Sequence, residues 1–103
     1  MINKLKECTG FEWDKFNLTK SRDKHNVKFT ECEELFFNEP LLVSYDEKHS
    51  IKEDRYFALG KTNNERLLFT VFTIRDKKIR IISSRDMNKY ERKIYDEKAK
   101  ENT

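Results

Sequence analysis

The sequence predicts an α+β fold in which helices pack on a meandering antiparallel β-sheet, with the element order β-α-α-β-β-β-β-α. Two observations indicate this fold. The second half of the chain contains successive segments rich in β-branched and aromatic residues, and short links join them, as is typical of antiparallel neighbours. Helical spacing of apolar residues precedes and follows those segments. With 103 residues, the chain suits one domain over 1–103, and its polar tail, about 99–103, is expected to fray.

The first elements are a short strand and a helix. "GFEW" at 10–13 has the composition of a strand, and Asp14 can cap a helix that begins at Lys15. That helix is expected to run to about His25, because Asn26 readily adopts the left-handed conformation that ends a helix.

A second helix follows directly. Thr30-Glu31-Cys32-Glu33 fits a capping box, and Cys32, Leu35 and Phe36 have the spacing of a buried helical stripe. Asn38-Glu39-Pro40 is expected to stop this helix.

Four strands and a final helix complete the chain. The predicted strands are 41–45, 55–61, 66–74 and 78–83, and a charged loop fills 46–54. "RLLFTVFTI" is apolar on both faces, which indicates a central strand. The last helix is predicted over about 87–98, with Met87, Tyr90 and Ile94 as its buried stripe and Tyr95 at the border.

The charge distribution leaves two interpretations open. The net charge is only +3, which is weak for a nucleic-acid-binding protein. Residues 75–93, however, hold eight Lys or Arg against three Asp or Glu. This segment is either a surface that attracts phosphates or a solvated charged face.

The two cysteines, Cys8 and Cys32, are isolated and form no metal-ligand pattern. No signal peptide or long apolar segment is visible. We therefore expect a cytoplasmic protein with free thiols, with no metal or other cofactor and no membrane contact.

The stretch "KKIRIISSRD" at 77–86 contains the most informative polar residues. Alternation places Arg80 on the face opposite Ile79 and Ile81, where its guanidinium needs a partner. Ser83, Ser84 and Arg85 at a strand-to-helix junction suit a phosphate site, because helix-start amides favour anions. The alternative is that Arg80 pairs with a carboxylate, namely Glu12, Glu53 or Asp54.

The order and spacing of several motifs resemble those of the BrnT toxins of bacterial type II toxin–antitoxin systems. The motifs are "FEWD" at 11–14, "KHNVKF" at 24–29, "HSIKEDRYFALG" at 49–60, "RLLFTVFT" at 66–73, "IRIISSR" at 79–85 and "ERKIY" at 91–95. The resemblance implies a RelE-like fold and a ribonuclease that arrests translation. It also implies an RNA substrate and a BrnA-type antitoxin with a ribbon-helix-helix domain, through which alone operator DNA would be contacted.

The resemblance also implies a candidate site. Arg66, Arg80 and Arg85 would neutralise the scissile phosphate, while Lys24 and His25 at a helix C-terminus would serve as acid or clamp. Without a metal, the RNA 2′-OH itself can attack the adjacent phosphate. Ser83 and Tyr95 are candidate substrate contacts. Two alternatives stay open: His25 as a helix-end cap against Trp13, and Tyr95 as a packing residue. A non-catalytic RNA- or protein-binding module is the alternative function.

Overall fold

The computed structural model of the protein describes residues 3–101. It contains a five-stranded sheet with helices on its faces. The helices are α1 (Asn3–Lys6), α2 (Lys15–His25), α3 (Phe29–Leu35) and α4 (Lys89–Glu101). The strands are β1 (Gly10–Trp13), β2 (Leu42–Tyr45), β3 (Arg55–Lys61), β4 (Leu67–Arg75) and β5 (Lys78–Asp86). A 3₁₀ turn spans Glu47–His49 in the charged loop.

The sheet confirms the predicted α+β class and adds one detail of topology. The strand order is β1-β5-β4-β3-β2, and β2 to β5 form an antiparallel meander. The edge strand β1 instead pairs with β5 in parallel, so the sheet is mixed. A parallel pair needs a long connection, which the intervening helices and strands supply.

A β-bulge in β5 decides which side chains share a face. Phe72 pairs with Ile81 and Val71 pairs with Ser83, so Ile82 is the extra residue. Beyond the bulge the strand continues to Asp86, and its predicted end at Ser83 is wrong. Ser84 is buried there because its hydroxyl hydrogen-bonds the hydroxyl of Thr70 at 2.8 Å.

Two apolar clusters lie on the sheet. The larger one joins α3 to β3, β4 and β5, with Leu35, Leu68, Phe72 and Ile81 among its fully buried members. The smaller cluster brings Leu59, Met87 and Tyr95 together beneath α4. Among residues 3–101, no helix is both long and apolar enough to span a bilayer.

The α2 prediction is confirmed, with Asp14 accepting the Asn17 N–H at 3.2 Å and Asn26 left-handed at φ 53°. The capping box at Thr30–Glu33 is wrong. Helix α3 begins at Phe29, because the carboxylate of Glu31 accepts the N–H of Lys28 at 3.1 Å.

The start of α4 also differs from the prediction. Asn88 and Glu91 form a reciprocal cap, each side chain accepting the other's backbone N–H at 2.8 and 2.9 Å. Met87 therefore precedes the helix, and Ser83 and Ser84 do not cap it. Tyr90 is 72% exposed rather than buried, whereas Tyr95 is buried.

The C-terminal tail prediction is corrected in part as well. Helix α4 continues to Glu101, so residues 99–101 are helical, and residues 102–103 of the predicted tail lie outside the described range.

Candidate active site

A cleft of about 290 Å³ separates the second half of α2 from the end of β5. Its walls are formed by Lys20, Lys24, His25, Phe69, Ser83, Ser84 and Arg85. Phe69 pairs with Arg85 and Val71 with Ser83, so Ser83 and Arg85 share the face of Phe69. The bulge thus turns Ser83 and Arg85 toward the cleft, where they meet two further predicted site residues from α2, Lys24 and His25.

Arg85 is held by a flat ring below it and a carboxylate beside it. Its guanidinium carbon lies 4.2 Å from the centroid of the Phe69 ring. Its Nη1 and Nη2 atoms donate to the two carboxylate oxygens of Glu91 at 2.8 and 3.0 Å. A phosphate accepts the same two-pronged bond, so this fork has the geometry of an anion site.

Glu91 is ionised while it holds Arg85. Burial acts to raise the pKa of Glu91, but hydrogen bonds from Arg85 and from the Asn88 N–H more than offset it, and the pKa falls below its usual value. The carboxylate therefore occupies the fork as an internal anion.

Arg66 lies behind the cleft and connects three elements. It donates to Asp86 through Nε at 2.8 Å, to Glu31 through Nη1 at 3.1 Å and to the His25 carbonyl through Nη2 at 3.3 Å. The Asn26 carbonyl accepts a further bond at 2.9 Å. Hydrogen bonding to Asp86 is the main reason that the pKa of Arg66 is raised. Arg66 thus fixes the end of α2, including His25, and does not line the cleft.

Arg80 pairs with carboxylates, which was the alternative to phosphate binding. Its Nη1 lies 3.4 Å from Glu12 and its Nη2 lies 3.1 Å from Asp14. Glu53, the second partner considered, pairs with Arg75 at 2.8 Å. Arg80 therefore joins β1 and the start of α2 to β5, and it is not one of the residues that line the cleft.

The exposed cations of the cleft come from α2. The side chains of Lys20, Lys24 and His25 are exposed, and within residues 3–101 they make no hydrogen bond or ion pair. Trp13, the packing partner considered for His25, instead packs on Phe29 with ring centroids 5.9 Å apart and donates to Glu33 at 3.2 Å. Two lysines and a histidine thus line the cleft beside the guanidinium of Arg85.

Tyr95 lies outside the cleft. Its hydroxyl donates to the Pro40 carbonyl at 2.6 Å, and its ring packs in the cluster beneath α4. Burial, with a smaller contribution from Asp96, raises the pKa of Tyr95 to about 12. This environment suits the packing alternative.

Sequence reasoning missed Lys20, Phe69 and Glu91. Lys20 lies one helical turn before Lys24, a spacing that the sequence does show. Phe69 and Glu91 meet Arg85 only through the register of β4 and the position of α4, which the sequence does not display. Among the described residues, no group of three or more His, Cys, Asp or Glu side chains is placed to hold a metal ion.

Comparisons with known proteins agree with this fold. The family model described as "Ribonuclease toxin, BrnT, of type II toxin-antitoxin system" matches residues 13–91. The crystal structure of the Brucella abortus ribonuclease toxin BrnT superposes with a TM-score of 0.57 at 19% sequence identity, covering 79% of this chain and 99% of that one. No curated protein matches. Because the family match over residues 13–91 spans most of the chain, including all of α2 and β5, the chain belongs to the BrnT family of ribonuclease toxins of type II toxin–antitoxin systems.

Proposed function

We propose that this endoribonuclease cuts RNA without a metal ion in the cleft between α2 and β5. The observation that supports this site is the convergence of Lys20, Lys24 and His25 on the guanidinium fork of Arg85. Within residues 3–101 these three side chains form no ion pair. A backbone phosphate carries the negative charge that such a cluster favours.

The chemistry follows from the charges. The RNA 2′-OH loses its proton to solvent water and attacks the adjacent phosphorus, while negative charge grows on the phosphate oxygens. The bond to the 5′-oxygen then breaks and leaves a 2′,3′-cyclic phosphate. Arg85 binds the phosphate oxygens after the phosphate displaces Glu91 from the fork, and Lys24 adds further positive charge. His25 donates a proton to the departing 5′-oxygen, and Ser83 hydrogen-bonds the substrate. Arg66 is a positioning residue that holds the His25 backbone.

The biological setting rests on family membership. A type II system implies an antitoxin, for which we propose a BrnA-type protein with a ribbon-helix-helix domain that neutralises the toxin. RNA cleavage would arrest translation in the cytoplasm, and operator DNA would be contacted only through the antitoxin.

The test is cleavage of a long RNA by antitoxin-free protein in EDTA. We expect the parent protein to cleave and Arg85→Ala to lose about 100-fold or more, the usual effect of removing one donor to a transition-state oxygen. Arg75→Ala is the matched control, because Arg75 also pairs with a glutamate but lies outside the cleft. Cleavage that needs added metal, or equal cleavage by Arg85→Ala, would contradict the proposal.

A non-catalytic RNA-binding module is the second candidate. The observation in its favour is that Arg66, Arg80 and Arg85 all have carboxylate partners, so none is open to substrate without rearrangement. RNA binding that weakens steeply with salt, without any cleavage in the presence or absence of ribosomes, would select this candidate.

A further inference from the structure

The first two turns of α4 carry a cationic surface that the cleft does not include. Lys89, Arg92 and Lys93 have the spacing i, i+3, i+4 and therefore share one side of the helix. Tyr90 stands beside them with 72% of its surface exposed, and the four residues line a shallow groove together with Asp96, Glu97 and Lys100. Within residues 3–101, none of Lys89, Arg92 and Lys93 has an ion-pair partner.

This α4 surface is continuous with the cleft. Glu91 pairs with Arg85 at 2.8 Å, so the first turn of α4, which carries Lys89, Tyr90 and Arg92, begins beside the Arg85 end of the cleft. Asp86 follows Arg85 at the end of β5, and Arg92 and His25 both act to lower its pKa, after the larger effect of its hydrogen bond with Arg66. A strand of RNA leaving the cleft at Arg85 would therefore meet α4 next.

We propose that Lys89, Tyr90, Arg92 and Lys93 form a subsite for single-stranded RNA that flanks the scissile phosphate. The proposal rests on the function proposed above and names the form of RNA bound at the same site. Cations spaced along a helix contact backbone phosphates, while an exposed aromatic ring stacks on an unpaired base. A duplex keeps its bases stacked inside and offers none to Tyr90.

The chemistry of the α4 surface favours RNA over a protein partner. Protein interfaces are depleted in lysine at their centres and need an apolar core. The groove holds one exposed tyrosine ring with four cations, Lys100 being the fourth, against two carboxylates, Asp96 and Glu97. Such an excess of positive charge around an exposed ring is typical of a surface that binds single-stranded nucleic acid.

The experiment measures binding of short RNAs that carry 2′-O-methyl groups, because these cannot be cleaved by 2′-OH attack. Fluorescence anisotropy with the full chain compares the parent with Tyr90→Ala, Tyr90→Phe and Arg92→Ser/Lys93→Ser. The matched control is Lys48→Ser/Lys52→Ser, which removes the same charge from the exposed loop before β3. That loop lies at the opposite end of the sheet, since Arg55 pairs with Thr73 whereas Arg85 pairs with Phe69.

We expect Tyr90→Ala to weaken single-strand binding about fivefold or more, and Tyr90→Phe to restore it. A duplex of the same sequence should not respond to Tyr90→Ala. Arg92→Ser/Lys93→Ser should reduce the slope of log affinity against log salt by about 1.4, at roughly 0.7 per phosphate contact. Each variant is checked for folding by circular dichroism.

Two outcomes would overturn the subsite, and they are distinguishable. If the parent binds the single strand and the α4 variants bind it as tightly as the loop control does, the subsite is wrong and the proposed cleavage site stands. If the parent neither binds these probes nor cleaves unmodified RNA, the proposed function and the subsite fall together.

Discussion

Arg85 and Arg66 both pair with carboxylates, and they differ in what else surrounds the guanidinium. Arg85 lies over an aromatic ring and holds one carboxylate in the cleft, so a phosphate can replace that carboxylate. Arg66 is bonded on all sides to two carboxylates and two carbonyls. We expect the first to matter for activity and the second for stability.

Arg66→Ala should lower the free energy of unfolding by about 2–3 kcal/mol, because charge-assisted hydrogen bonds at Glu31, Asp86 and the end of α2 are lost together. Urea unfolding measures this. Arg66→Lys should recover only part of the loss, since an ammonium group cannot reproduce the planar fork. A variant as stable as the parent would show that these bonds are dispensable.

Tyr95→Phe removes a single hydroxyl group and tests whether Tyr95 acts in packing or in catalysis. The change removes the hydroxyl that donates to the Pro40 carbonyl, and we expect a loss of about 1 kcal/mol in unfolding free energy. RNA cleavage per folded molecule should stay at the parent rate, because the ring lies outside the cleft. A large fall in cleavage with unchanged stability would restore Tyr95 as a substrate contact.

The packing of α3 on β3 depends on the lack of a Cβ atom at Gly60. A Cβ atom there would lie 2.9 Å from Cγ of Leu35 and 3.2 Å from Cδ1 of Leu41. Since Leu35 is fully buried, we expect Gly60→Ala to cost about 1–3 kcal/mol in thermal or urea unfolding. Gly10→Ala is the control, as a Cβ at Gly10 meets nothing within 4 Å. Equal stability of the two variants would contradict this account.

Local sequence signals predicted most helices and strands, but they predicted an element's end only where a capping residue marks it. Asp14 and Asn26 mark the two ends of α2 in the sequence and do so in the structure. The end of β5 was misplaced because burial of Ser84 depends on Thr70, a partner fourteen residues away. The lining of the candidate cleft was predicted only in part for the same reason. Side-chain type alone pointed to four residues: Lys24, His25, Ser83 and Arg85. Phe69 and Glu91 matter only because the fold places them against Arg85.

Acid should destabilise the whole molecule through carboxylates that join its elements. The pKa of Asp86 is lowered chiefly by its hydrogen bond with Arg66, and the pKa of Glu91 is lowered against burial by Arg85 and Asn88. A lowered folded-state pKa means that the unfolded chain binds protons more readily, so unfolding free energy falls as pH falls. This stabilisation is fully present above the usual values of 3.8 and 4.5 and is lost below them.

Urea unfolding from pH 7 to about pH 3 checks this dependence. Glu91→Gln cannot titrate at that position and should therefore show a shallower decline than the parent, even though it starts from a lower stability. If the unfolding free energies of the two proteins fell equally with pH, Glu91 would not contribute to the acid sensitivity.

The extra residue in β5 determines which face of the sheet each following side chain occupies. Arg80 and Arg85 are five positions apart, an odd interval that puts two side chains on opposite faces of a regular strand. With Ile82 inserted, both lie on one face, and Ile81 and Ser84 share the other. Removing this one residue would exchange the two faces from position 83 onward, turning Arg85 into the core and Ser84 into the cleft. The length of this strand, as much as its composition, therefore determines whether Ser83 and Arg85 face the candidate cleft.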